Sequence, residues 1–120
     1  MTELLAPAYR LVFVTCPCEE EAQTLAKKLV EQKRVACANL IPGIQSIYWW
    51  EGAVQEASEW LLILKTTVEQ LPALLQWLPN EHSYSVPEVI ALPITEGHPP
   101  YLRWITESTT TLAKSTETLG

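Results

Sequence analysis

The chain has no aspartate: all 14 of its acidic residues are glutamate. The Asp-rich loops that cage calcium and the Asp-dependent magnesium sites are therefore excluded, leaving glutamate and neutral side chains for any cation. Basic residues are scarce as well, 8 Lys and Arg in 120, for a formal net charge of -6. They cluster only at Lys27-Lys28 and Lys33-Arg34, on a stretch that reads as a helix, where charges on a solvated face are ordinary. Binding to a phosphate backbone needs a basic stripe, and an RNA-recognition module needs aromatic strands in basic surroundings, so nucleic acid is not an expected partner. No apolar run approaches the roughly 20 residues of a membrane-spanning helix, and the amino terminus lacks a basic segment followed by an apolar one. The reading is a soluble, unexported, cytoplasmic protein with no membrane partner. Three cysteines, an odd number, make no disulfide framework and fit a reducing compartment. Also missing are a Gly-X-Ser-X-Gly elbow, a phosphate loop, a Gly-X-Gly-X-X-Gly fingerprint and a metalloprotease His pair. No enzyme activity and no required cofactor are expected.

What is present is hydrophobic: 48% of the 120 residues, enough for one domain burying roughly two thirds of its unfolded surface. Residues 36–52, ACANLIPGIQSIYWWEG, form a β-rich run interrupted by Pro42-Gly43 and closing on Tyr48, Trp49 and Trp50. Strands usually end near five or six residues, so this length with a Pro-Gly insert predicts a bulged strand continuing beyond the core. Such an apolar arm is an aggregation hazard in a monomer, and an oligomer that covers it is the economical solution. Tyr48, Trp49, Trp50 and Trp60 are accordingly expected at a subunit interface.

Residues 10–15 (RLVFVT) read as a strand, followed by helix-starting chemistry at Pro17 and Glu19 to Glu21. Ala22, Leu25, Ala26, Leu29 and Val30 then recur at helical spacing and predict a buried stripe. A turn at Glu51-Gly52 leads into a third strand over 54–66. Thr67-Val68-Glu69-Gln70 resembles a capping box before a second helix with Leu71, Leu74, Leu75 and Leu78 buried and Pro79-Asn80 at its end, although Pro72 conflicts with a start at Thr67. A fourth strand over 86–95 and a short helix over 99–107 complete the order. The prediction is an α+β, ferredoxin-like split β-α-β-β-α-β sandwich with an extended hairpin between its second and third strands and a C-terminal helix. Its domain spans 9–107, between flexible tails over 1–8 and 108–120.

Cys16-Pro17-Cys18 falls where the first strand meets the first helix. A thiol there could bind soft metal through a stabilised thiolate, or Cys16 is a buried strand-end thiol and Cys18 occupies the helix cap. Lys65 ends one apolar strand and Glu88 opens another, which makes them either an ion pair or cleft charges.

Residues 36–52, 84–94 (YSVPEVIALPI) and 97–105 (GHPPYLRWI), with 15–19 (TCPCE) and 62–67 (LILKTT), closely resemble the CutA family of divalent-cation-tolerance proteins. The resemblance implies a cytoplasmic or organellar homotrimer linked to copper and other divalent metals, without an established reaction. It matches His82 to a histidine of the family and, with Cys16 and Cys18, makes a candidate metal set for copper or another divalent ion. It places Val14 where copper-binding bacterial relatives carry cysteine. CutA trimers are similar in architecture to PII signalling proteins, whose ligands sit between subunits. That similarity implies a cleft of Lys65, Tyr84, Glu88, Trp50, Tyr101 and Trp104 for a small anionic ligand. A protein-anchoring scaffold is a further reading.

Overall fold

The computed structural model describes residues 8–110 of the chain. Its elements are β1 (Tyr9–Cys16), α1 (Glu19–Glu31), β2 (Cys37–Trp50), β3 (Ala53–Thr67), α2 (Leu71–Glu81), β4 (Val89–Ile94) and α3 (Pro99–Thr109). They share one sheet of order β2-β3-β1-β4 in which neighbouring strands run antiparallel. Each long helix carries the chain past one intervening strand, which is the split arrangement expected from the sequence. The tail mobility expected over 1–7 and 111–120 lies outside the described residues. At the edges of the described chain, Ala8 accepts a hydrogen bond from the Val68 amide at 2.8 Å, and α3 runs to Thr109, two residues past the expected limit.

Strand alternation builds two different faces. Val12, Val14, Cys16, Leu62 and Leu64 are buried on one, beneath Ala22, Leu25, Ala26 and Leu29 of α1 and Leu74 and Leu78 of α2. Val30 and Leu75, expected in those stripes, are exposed, because each lies one residue past a stripe position and is turned about 100° from it. Leu11, Phe13, Leu61 and Ile63 are only half-buried on the opposite face, where register brings Ile90 and Leu92 beside Phe13 and Leu11 and leaves both exposed. There α3 covers only the Tyr9 end, with the Tyr9 hydroxyl 2.7 Å from Thr106 Oγ1.

At three further boundaries the structure departs from the sequence reading. Residues 67–70 form a turn and α2 starts at Leu71, so the capping box is not made; Pro72 then falls in the first helical turn, where its missing donor has no helical acceptor to lose. Pro79 lies inside α2 instead of ending it, two residues before the last, where the helix forfeits a single hydrogen bond. The fourth strand pairs only from Val89, because Pro87 has no amide for the ladder.

The β2-β3 hairpin is the longest feature, and at about 3.3 Å per residue its strands account for most of the 53 Å long axis. Its turn, Glu51-Gly52, has positive φ at both residues, the mirror-image geometry that matches strand twist. Ile41 pairs with Leu61 but Ile44 with Glu59, so Pro42 and Gly43 together face one residue of β3. Gly43, at φ 76°, makes that bulge without strain. The extra residue changes which side chains share a face. Before it Asn39 and Ile41 lie with Leu61 and Ile63; after it Ile44, Ser46, Tyr48 and Trp50 lie on that side, with Glu59.

Candidate functional site

Beyond the bulge, the hairpin arm and the segment after α2 enclose a cleft of about 650 Å³. One wall is β2, through Gln45, Ser46, Ile47, Tyr48 and Trp50; the other is Tyr84, Ser85, Val86 and Glu88, with Thr15 and Glu59 also lining the space. Thr15 pairs with Leu61, two residues from Glu59 on the same face, so the sheet itself sets these two side by side. Tyr84 donates its hydroxyl to Glu59 Oε2 at 2.8 Å. Burial, then that hydrogen bond, pushes the Tyr84 phenol above its ordinary range, so it stays a donor.

His82 holds the second wall in place. Its Nδ1 accepts the Tyr84 amide at 3.0 Å, which leaves the proton on Nε2 to donate to the Thr15 carbonyl at 2.8 Å. Glu21 Oε2 accepts the Ser83 amide at 2.9 Å and stands 3.4 Å from Nδ1. The His82 and Tyr84 rings are 4.8 Å apart. The buried imidazole thus ties the loop to β1 while Glu21 ties it to α1, and Tyr84 is aimed at Glu59 as a consequence.

The candidate metal set fits a metal poorly. Both His82 nitrogens are engaged, and coordination would break one of these bonds in the interior. Cys16 is fully buried and its thiol is pushed up to about 12, first by desolvation and then by Glu21, which opposes the thiolate a soft metal needs. Cys18 is exposed at the N-cap of α1 and makes no side-chain cap bond. Among the described residues no group of three His, Cys or Glu gathers to hold an ion.

Of the six residues expected in a ligand cleft, the chain brings together Trp50, Tyr84 and Glu88. Lys65 is six residues down β3 from Glu59, about 20 Å along the strand, where its Nζ bonds Asn39 Oδ1 at 2.7 Å. Tyr101 and Trp104 stack on each other at 5.3 Å on α3, whose Thr106 meets the opposite end of β1. Among the expected interface residues, Trp49 is 74% exposed, Tyr48 and Trp50 line the cleft, and Trp60 packs against the core of the chain itself, on the side of Leu62 and Leu64. Sequence reasoning missed Glu59. Its signal was a carboxylate directly before the apolar run Trp60 to Leu64, in alternation with Leu61 and Ile63.

Comparison with known proteins places this geometry among relatives. A family model described as "CutA1 divalent ion tolerance protein" matches residues 10–108. The divalent-cation tolerance protein CutA of Thermus thermophilus is 48% identical over 99 residues, 82% of this chain and 96% of that one. Protein CutA of Mus musculus is 47% identical over 103 residues, and the chain spans only 58% of that protein's length. Among solved structures, the Thermus thermophilus protein superposes with a TM-score of 0.82 at 47% identity, covering 85% of this chain and 99% of that one. CutA1 from Oryza sativa gives 0.84 at 45% identity, covering 88% and 97%. Among the described residues no helix is long and apolar enough to cross a membrane.

Proposed function

The chain belongs to the CutA1 divalent ion tolerance family, and from that premise we propose that it serves divalent-metal tolerance as a cytoplasmic homotrimer that binds its cue without turnover. Copper is the ion that the resemblance implies. The observation that carries the reading is the uncovered apolar face of the sheet, continuous with an arm tipped by Ile47 and Trp49, 70% and 74% exposed. A subunit with this much apolar surface in water is incomplete, and copies of itself are the cover of matching chemistry. Docked copies would also close the cleft and supply Lys65, Tyr101 or Trp104 from a neighbour.

The cue acts at that cleft, because Cys16, Cys18 and His82 make no ready ligand set. Calorimetric titration of copper and zinc into the reduced protein tests this, repeated with Cys16 and Cys18 replaced, which leaves the His82 bonds to the cleft wall in place. Any heat is expected to survive the replacements; tight stoichiometric binding abolished by them would restore the thiol site. In copper-stressed cells lacking their own homologue, the wild-type chain is expected to restore growth and Glu88→Gln to fail. A sensor of a small anionic metabolite draws no support from the cleft of one subunit, whose charged lining residues are Glu59 and Glu88. The anchoring-scaffold reading has no observation of its own.

A further inference from the structure

We propose that the group received by this cleft is a cationic nitrogen, an organic ammonium or guanidinium, bound against Glu59; the inference rests on the cleft being the trimer's binding site. Glu59 is only 7% exposed, yet its side chain's partner is a neutral one, the Tyr84 hydroxyl. Buried carboxylates are ordinarily matched by a cation, since an isolated charge away from water is strongly unfavourable. Among the described residues Lys28 pairs with Glu81, well away from Glu59, and no basic side chain lines the cleft. Glu88 adds a second carboxylate, so the missing charge is positive.

The walls narrow the class. Tyr48, Trp50 and Tyr84 present aromatic rings, whose faces attract ammonium and guanidinium groups. A hard divalent ion wants six or more oxygen ligands. Here two carboxylates stand among rings, one of them already engaged by Tyr84, and no third Glu, His or Cys joins them. The same cationic nitrogen has two possible sources: a free amine or guanidine, or a Lys or Arg side chain of a second copy.

Butylguanidinium and butylammonium chlorides, with butanol and sodium butyrate as controls at equal ionic strength, distinguish these sources. Mass, melting temperature and calorimetric heat are read on the same samples. With a free ligand, the cations raise the melting temperature, the controls do not, and Glu59→Gln and Glu88→Gln each weaken binding about tenfold or more. With a second copy as source, the cations do nothing and Glu59→Gln raises the trimer's dissociation constant by at least tenfold. The inference is overturned by a trimer that ignores the cations and tolerates Glu59→Gln at every dilution. Selective binding of butyrate, or manganese binding abolished by Glu59→Gln, overturns it equally. Each of these leaves the trimeric reading standing, whereas a monomer at micromolar concentration removes both.

Discussion

Replacing Trp49 by alanine separates assembly from folding. Trp49 is 74% exposed in the subunit, so its removal sacrifices little packing within the chain. A tryptophan presents roughly 200 Å² of side-chain surface, of which about 150 Å² is then available for burial by a partner. At about 25 cal/mol per Å² full coverage is worth up to ~4 kcal/mol, and half coverage ~2. Every 1.4 kcal/mol is tenfold, so Trp49→Ala is expected to weaken each docking contact by roughly 30- to 1000-fold. Sedimentation equilibrium over a dilution series, alongside far-ultraviolet circular dichroism, reads both quantities. The expected result is dissociation at markedly higher concentration with unchanged secondary structure. A variant that stays assembled at the same dilutions as the wild type refutes the assignment of the arm to the interface.

Leu62→Ala opens a cavity in the fully buried core and is expected to destabilise the fold by about 2–5 kcal/mol in chemical denaturation, whatever the protein concentration. His82→Ala leaves the Tyr84 amide and Thr15 carbonyl without their partner, about 1–3 kcal/mol for each group, and should loosen the cleft wall, visible as faster hydrogen exchange over 83–88. Cys16, pushed up to about 12, loses its proton later in the folded than in the unfolded chain, whose thiol titrates near 9.0. Its contribution to stability is therefore complete below about pH 9 and is lost as pH climbs towards 12. Cys16→Ala should flatten that alkaline decline, and alkylation of the native protein at pH 8 should label Cys18 well before Cys16.

The fold was legible because its signals are periodic. The Ala22, Leu25, Ala26 and Leu29 stripe states which side of α1 is buried, while the unbroken apolar centre of β3 marked a strand without saying which of its faces meets the helices. Boundaries were less legible where local chemistry competed with geometry: Thr67 to Gln70 carries the letters of a capping box, but Pro72 is tolerated only if the helix starts later. The site was harder still. Alternation read straight through Pro42-Gly43 would put Ile47 and Trp49 on the Glu59 side, and only the bulge turns Tyr48 and Trp50 there instead. Lys65 and Glu88 each border an apolar strand and looked equivalent in sequence, yet the antiparallel register sends Lys65 to the far end of the sheet. His82 was found by its family match, but its purpose, anchoring Tyr84, depends on contacts to Thr15 and Glu21 more than 60 residues away. Such contacts leave no local pattern.

The account as a whole requires that a lone subunit leave its apolar face and arm unsatisfied. The most direct measurement is the mass of the reduced, untagged protein by sedimentation equilibrium at low micromolar concentration. Three times the 13.5 kDa of the chain is expected. A species of 13.5 kDa that keeps native near-ultraviolet dichroism and a cooperative thermal transition would contradict it.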